Sequence, residues 1–346
     1  MSARRHEVMT TADIQSLAEA VRSGDRRALS RAITLIESTR TDHRQASNSL
    51  LELLMPHTGG AIRLGVSGAP GVGKSTFIEA FGNHVIDQGR RVAVLTVDPS
   101  SVISGGSILG DKTRMESLAR RESAFIRPSP AGAMLGGVSR RSRETLLLCE
   151  AAGFDLVVVE TVGVGQSETR VADMTDMFLL LLQPGGGDEL QGIKRGIMEL
   201  ADLILINKAD GHLEALARQS ASDFRAALRL LQPRSTHWSV PVKTCSSLEM
   251  TGIHAAWEAI LGYQEALTES GEWLTRRSDQ ARSWLWAELE DALISDLRMN
   301  PDIRARLPEL EAAAAAGELP ASTAATRLLQ LYLRRSNEAG QSKEKT

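Results

Sequence analysis

The feature that most constrains this fold is a nine-residue loop, Gly68, Ala69, Pro70, Gly71, Val72, Gly73, Lys74, Ser75 and Thr76, set between an apolar run at 62–66 and a helix-period stretch at 77–86. It fits the phosphate-cradling pattern G-x-x-x-x-G-K-[ST] at every fixed position. The glycines let successive N–H groups turn into one concavity, Lys74 reaches the outer phosphates, and Ser75 offers a hydroxyl to magnesium. The helix that follows turns its positive dipole end toward the same anion. The loop therefore predicts a nucleoside triphosphate site and a strand–loop–helix unit around it.

Seven short apolar runs, at 62–66, 92–97, 125–127, 156–159, 177–182, 203–206 and 240–244, alternate with helical stretches. Alternation of this kind predicts an α/β P-loop NTPase fold, a mostly parallel sheet covered by helices on both faces. Open α/β sheets bind ligands beyond the carboxyl ends of their strands, where these runs give way to polar or glycine clusters. Before the sheet, Ile14, Leu17, Val21, Leu29, Ile33 and Ile36 recur at helical spacing; after it, Trp273, Trp284, Leu285, Leu289, Leu293 and Leu297 do the same. The chain is thus expected to divide into an N-terminal helical segment (1–57), a nucleotide domain (58–265), a C-terminal helical arm (266–335) and a disordered polar tail (336–346).

Composition excludes other classes. A net charge of −3 gives no basic footprint for nucleic acid. No apolar stretch reaches the roughly 18 residues that a membrane span needs. Two distant cysteines, Cys149 and Cys245, supply neither a disulfide framework nor a thiolate metal site. A cytoplasmic location is the expectation.

The base is read from Asn207-Lys208-Ala209-Asp210, an N-K-x-D sequence at the end of the run 203–206. A carboxylate at Asp210 accepts from guanine N1–H and the exocyclic amine; adenine would strand it against an acceptor and a C–H. Stranding a buried polar group discriminates by about 10⁴ or more. GTP and GDP are therefore favoured, with Ser246, Ser247 and Leu248 placed to support the base through backbone N–H groups. For Mg²⁺, the oxygen ligands expected are Ser75, Asp98, Asp111 and Glu160. Glu160 closes a buried run, and Gly163 follows three residues later, as a γ-phosphate sensor requires. The residue after Gly163 is Val164, not a water-orienting glutamine, so hydrolysis is expected to be slow; Gln166 is the nearby candidate. A glycine-rich loop after 177–182 brings Asp188, Gln191 and Lys194 as switch residues, and Lys194 joins Lys74, Glu160 and Gln166 as a catalytic candidate.

These motifs, together with Asp98-Pro-Ser-Ser, Gly105-Gly-Ser-Ile-Leu-Gly-Asp-Lys-Thr-Arg-Met, Phe125-Ile-Arg-Pro-Ser, Glu160-Thr-Val-Gly-Val-Gly-Gln-Ser-Glu and Gly187-Asp-Glu-Leu-Gln-Gly-Ile-Lys, resemble the ArgK/MeaB family. Members are GTPase chaperones of adenosylcobalamin-dependent acyl-CoA mutases such as methylmalonyl-CoA mutase. The resemblance implies GTP-gated cofactor delivery and protection of a B12-dependent mutase. It also implies a homodimer formed through the C-terminal region, with an adenosyltransferase as a further partner. The loop 184–194 matches the family's third switch, although its three glycines, Gly185 to Gly187, depart from the pattern. Two other readings compete: a metal-insertion GTPase, which would need a Cys/His cluster, and a P-loop kinase, which would place phosphate on an acceptor.

Overall fold

The computed structural model describes residues 9–38, 40–97, 115–127, 135–161, 167–185 and 195–343. Its centre is a sheet of seven strands: β1 (Ile62–Gly68), β2 (Val92–Val97), β3 (Ala124–Arg127), β4 (Leu156–Thr161), β5 (Met177–Leu182), β6 (Leu203–Ile206) and β7 (Val242–Thr244). They run in the order β3-β2-β4-β1-β5-β6-β7, and every pairing is parallel. Each position of β1, β4, β5 and β6 is buried, which is why these strands read as continuous apolar runs without alternation.

On one face, Leu64, Val66, Val94, Val158 and Leu179 pack against α4 (Lys74–Asp87) and α10 (Ile253–Glu269). Phe77 and Phe81 of α4 stack with centroids 5.4 Å apart, and Phe81 meets Trp257 of α10 edge-on at 6.0 Å. A second cluster holds Leu180, Leu182, Ile204 and Ile206 against Ala221 and Phe224 of α9 (Glu214–Leu228). Between these helices lie α5 (Glu116–Ala119), α6 (Leu135–Ala151), α7 (Ser167–Ala172) and α8 (Arg195–Leu200).

Three helices precede the sheet: α1 (Thr11–Arg22), α2 (Arg26–Glu37) and α3 (Thr41–Leu54). Thr10 and Asp13 form a reciprocal capping box, and the Asp25 carboxylate accepts from the N–H groups of Arg27 and Ala28. The three helices pack on one another and on α6. Beneath them, Arg63 of β1 donates twice at 2.9 Å to the buried Glu150 carboxylate, which also accepts from Gly59 N–H at 3.0 Å.

The chain forms two compact units, 1–280 and 281–346. The division falls inside α11 (Glu272–Met299), not at its start. Trp273 is buried in the core of the first unit, and Arg277 donates to both Asp176 oxygens, at 2.7 and 2.6 Å, and to Ala61 O at 2.6 Å. In the second unit, α12 (Pro301–Ala315), capped by Asn300, packs on α13 (Ala321–Lys343), whose helix takes in 336–343 of the segment expected as a disordered tail. Tyr332 donates to Asp296 at 2.6 Å there. Leu285, Trp286, Leu289 and Leu293 are exposed along α11. Among the described residues no helix is long and apolar enough to cross a membrane.

Candidate nucleotide site

The loop 68–76 leaves the carboxyl end of the central strand β1 and enters α4 at Lys74. The helix begins three residues earlier than its apolar period suggests. Gly73, at φ +94°, ends the loop in a left-handed conformation, so Lys74 and Ser75 sit in the first turn with N–H groups directed at the phosphate position. Two glycines are dictated by contact. A Cβ on Gly68 would lie 2.3 Å from Leu181 O of β5, and one on Gly73 would lie 2.8 Å from Asn207 Nδ2.

That second contact exposes the main strut of the site. Asn207, buried at the end of β6, donates from Nδ2 to Val72 O at 2.9 Å. Its Oδ1 accepts from Ser247 N at 3.2 Å, from Ser247 Oγ at 2.8 Å and from Cys245 Sγ at 3.6 Å. Lys208 adds a donor to Gly71 O at 2.6 Å, and its backbone takes φ +58° to do so. One hydrogen-bonded body thus joins the phosphate loop, the N-K-x-D segment and the turn after β7.

Asp210, half-buried, accepts from Ser246 Oγ through one carboxylate oxygen, and Ser246 Oγ accepts in turn from Glu249 N. The expectation for the backbone at 246–248 needs correcting. Ser246 N–H donates to Thr251 O and Ser247 N–H to Asn207 Oδ1, so neither faces a base in this arrangement. Leu248, 78% exposed, is the one of the three whose N–H is uncommitted among the described residues.

At the phosphate end, Lys74 Nζ donates to Gly68 O at 2.7 Å and to Ala69 O at 3.2 Å. Burial lowers the pKa of its ammonium, against the attraction of Glu160 and Glu168. Glu160, 5% exposed near the end of β4, accepts from Ser75 Oγ at 3.2 Å. Two hard oxygens therefore converge beside the loop, a donor set that fits a divalent cation of the magnesium type. Thr161, which the sequence did not single out, donates to Ser67 Oγ at 3.0 Å and ties the ends of β4 and β1 together. Asp98, Asp111, Gly163, Gln166, Asp188, Gln191 and Lys194 lie outside the described residues.

With the site in place, comparison with known proteins decides the family. The family described as methylmalonyl Co-A mutase-associated GTPase MeaB matches residues 29–302. This chain belongs to the MeaB family. GTPase ArgK of Escherichia coli (strain K12) is 51% identical over 290 residues, covering 83% of this chain and 88% of the relative. The methylmalonic aciduria type A homolog, mitochondrial, of Mus musculus is 45% identical over 322 residues, covering 89% of this chain and 77% of the relative. A crystal structure described as LAO/AO transport system kinase superposes with a TM-score of 0.75 at 40% identity, over 94% of this chain and all of that one. As a MeaB-family member the chain is a P-loop GTPase that binds guanine nucleotides.

Proposed function

We propose that this GTPase gates adenosylcobalamin loading onto a B12-dependent acyl-CoA mutase of the methylmalonyl-CoA mutase type, and protects or reactivates that mutase. The observation that carries the reading furthest is the Asn207 strut. It makes base recognition and the phosphate cradle one body, so a guanine nucleotide is sensed at both ends at once. The names of the family and of its mouse relative support the mutase as partner.

In this reading the backbone of 71–76 and Lys74 hold the phosphates, while Asp210 and Asn207 select guanine, with Lys208 bracing the loop. Ser75 and Glu160 hold Mg²⁺, which supplies charge neutralisation on the phosphate oxygens when bound; Asp98 and Asp111 join that ligand set. Gly163, Asp188, Gln191 and Lys194 report the nucleotide state to the partner, and Gln166 and Lys194 assist a slow hydrolysis that the mutase stimulates. The N-terminal helices and the nucleotide domain act as one unit, and the C-terminal arm beyond residue 280 acts as a second. The exposed apolar residues of α11 support that arm as a homodimer contact in the cytoplasm. An adenosyltransferase is the second partner, handing on the cofactor.

Measuring GTP turnover with and without a purified acyl-CoA mutase tests this. Free phosphate released faster in the presence of the mutase is the expected result. Phosphate appearing on an acceptor would instead favour a kinase.

A further inference from the structure

Two hydroxyls meet deep inside the sheet. Thr161 ends β4, and Ser67 stands one residue before the phosphate loop; they are 0% and 1% exposed, and Thr161 Oγ1 donates to Ser67 Oγ at 3.0 Å. A buried hydroxyl without a partner is costly, so each holds the other in place.

The pair sits where two strands part. The β1–β4 ladder ends at Val66 opposite Glu160. Beyond that point β1 continues beside β5, with Ser67 opposite Leu180 and Gly68 opposite Leu181, while β4 continues beside β2, with Thr161 opposite Val97. Ligands of open parallel sheets bind in the crevice beyond the carboxyl ends of their strands. The side-chain bond carries the tie between β1 and β4 one residue further toward that crevice.

Its two members flank the groups that hold the phosphates and the cation. Alternation along the strand sends Glu160 to the α4 face, where Ser75 Oγ donates to it, and Thr161 to the opposite face with Ser67. On that opposite face a Cβ on Gly65 would lie 2.8 Å from both Thr175 Oγ1 and Val171 Cγ1, so α7 and the turn after it pack closely over β1. Ser67 is joined directly to Gly68, whose carbonyl oxygen accepts from Lys74 Nζ at 2.7 Å. One bond therefore fixes the residue beside the carboxylate against the residue beside the loop.

We infer that Thr161 and Ser67 are positioning residues for the Glu160 carboxylate. Both side chains lie on the face opposite Glu160 and act through the backbone. Together they set the spacing between Glu160 and Ser75, and with it the affinity of the nucleotide-bound protein for Mg²⁺. The inference rests on the proposed role of Glu160 and Ser75 as Mg²⁺ ligands.

The test is the Mg²⁺ dependence of GDP binding, followed by calorimetry on the full-length protein, with urea unfolding alongside. Thr161→Val removes the bond and keeps the shape; combined with Ser67→Ala it strands no hydroxyl, and losing both partners of a buried hydrogen bond is close to neutral for stability. In this double variant the Mg²⁺ concentration giving half of the full gain in GDP affinity should rise by about tenfold, the lower end of what is lost when groups orienting a metal ligand are removed. The urea midpoint, and GDP affinity in EDTA, should stay at the parent values. Thr161→Ser keeps the hydroxyl and should keep the parent Mg²⁺ requirement. Glu160→Gln should raise that requirement at least as much as the double variant does. If Glu160→Gln is impaired but the double variant is not, the inference alone is overturned. An unimpaired Glu160→Gln would overturn the reading of Glu160 as a ligand and take the inference with it. A lowered urea midpoint together with weaker GDP binding in EDTA would mark the pair as a brace for the fold only, and would overturn the inference as well.

Discussion

Replacing Asn207 by alanine tests the strut that joins the two halves of the site. The side chain serves Val72 O, Ser247 N and Ser247 Oγ, and both Val72 and Ser247 are buried. The serine hydroxyl can rotate to another acceptor; the two backbone groups cannot. Each buried group left without a partner costs about 1–3 kcal/mol, so two of them cost on the order of 2–6 kcal/mol. Water entering the vacated space recovers part of this, and a loss of about 2–4 kcal/mol is the working figure. Asn207→Asp should be at least as damaging. It keeps the acceptor for Ser247 but turns an oxygen toward Val72 O and buries a charge without a partner, at about 3–5 kcal/mol. Urea unfolding gives the stability change, and calorimetry gives GDP affinity, expected to fall by about tenfold or more as Val72 and Gly71 lose their anchor. An Asn207→Ala protein within about 0.5 kcal/mol of the parent, the range of an ordinary surface change, and with unaltered GDP affinity would refute the reasoning.

Other substitutions separate the remaining roles. Lys74→Ala should abolish productive GTP binding, read by calorimetry in Mg²⁺ buffer. Because burial holds the Lys74 pKa down while a bound phosphate favours the charged form, GDP affinity should fall as pH rises through that lowered value. The fall should vanish in Lys74→Arg; an identical pH profile in both proteins would count against it. Asp210→Asn should weaken GTP and relax rejection of ATP, and unchanged selectivity would remove Asp210 from base recognition. Burial pushes the Cys245 thiol up to about 12 and the Cys149 thiol higher still, so neither should react with a maleimide at pH 8 until the protein is unfolded. Rapid labelling of the native chain would contradict their placement.

Much of this architecture was legible because its strands are buried on both faces. All seven appear where short apolar runs stand in the sequence, with differences only at their ends. β1 extends through Gly68 because the ladder with β5 continues to Leu181, and β4 extends through Thr161, which places Glu160 within the strand rather than after it. β7 starts at Val242, after Pro241, which lacks an N–H for the ladder. The phosphate loop and N-K-x-D were legible because the chemistry of phosphate and guanine dictates residue types at fixed spacing. What could not be read is contact at long separation. Asn207 meets Val72 across 135 positions, and Arg277 meets Asp176 across 101. Periodicity carries no trace of either. The same limit explains Trp273, which shares a helix with the exposed Trp286 yet is buried in the core of the nucleotide unit.

Transfer of adenosylcobalamin to the apo form of a B12-dependent acyl-CoA mutase, followed by cofactor absorbance with this protein present, bears most directly on the proposed role. Transfer should proceed with GTP, and stall or change rate with a non-hydrolysable GTP analogue. Equal rates with GTP, with the analogue and with no nucleotide would contradict it.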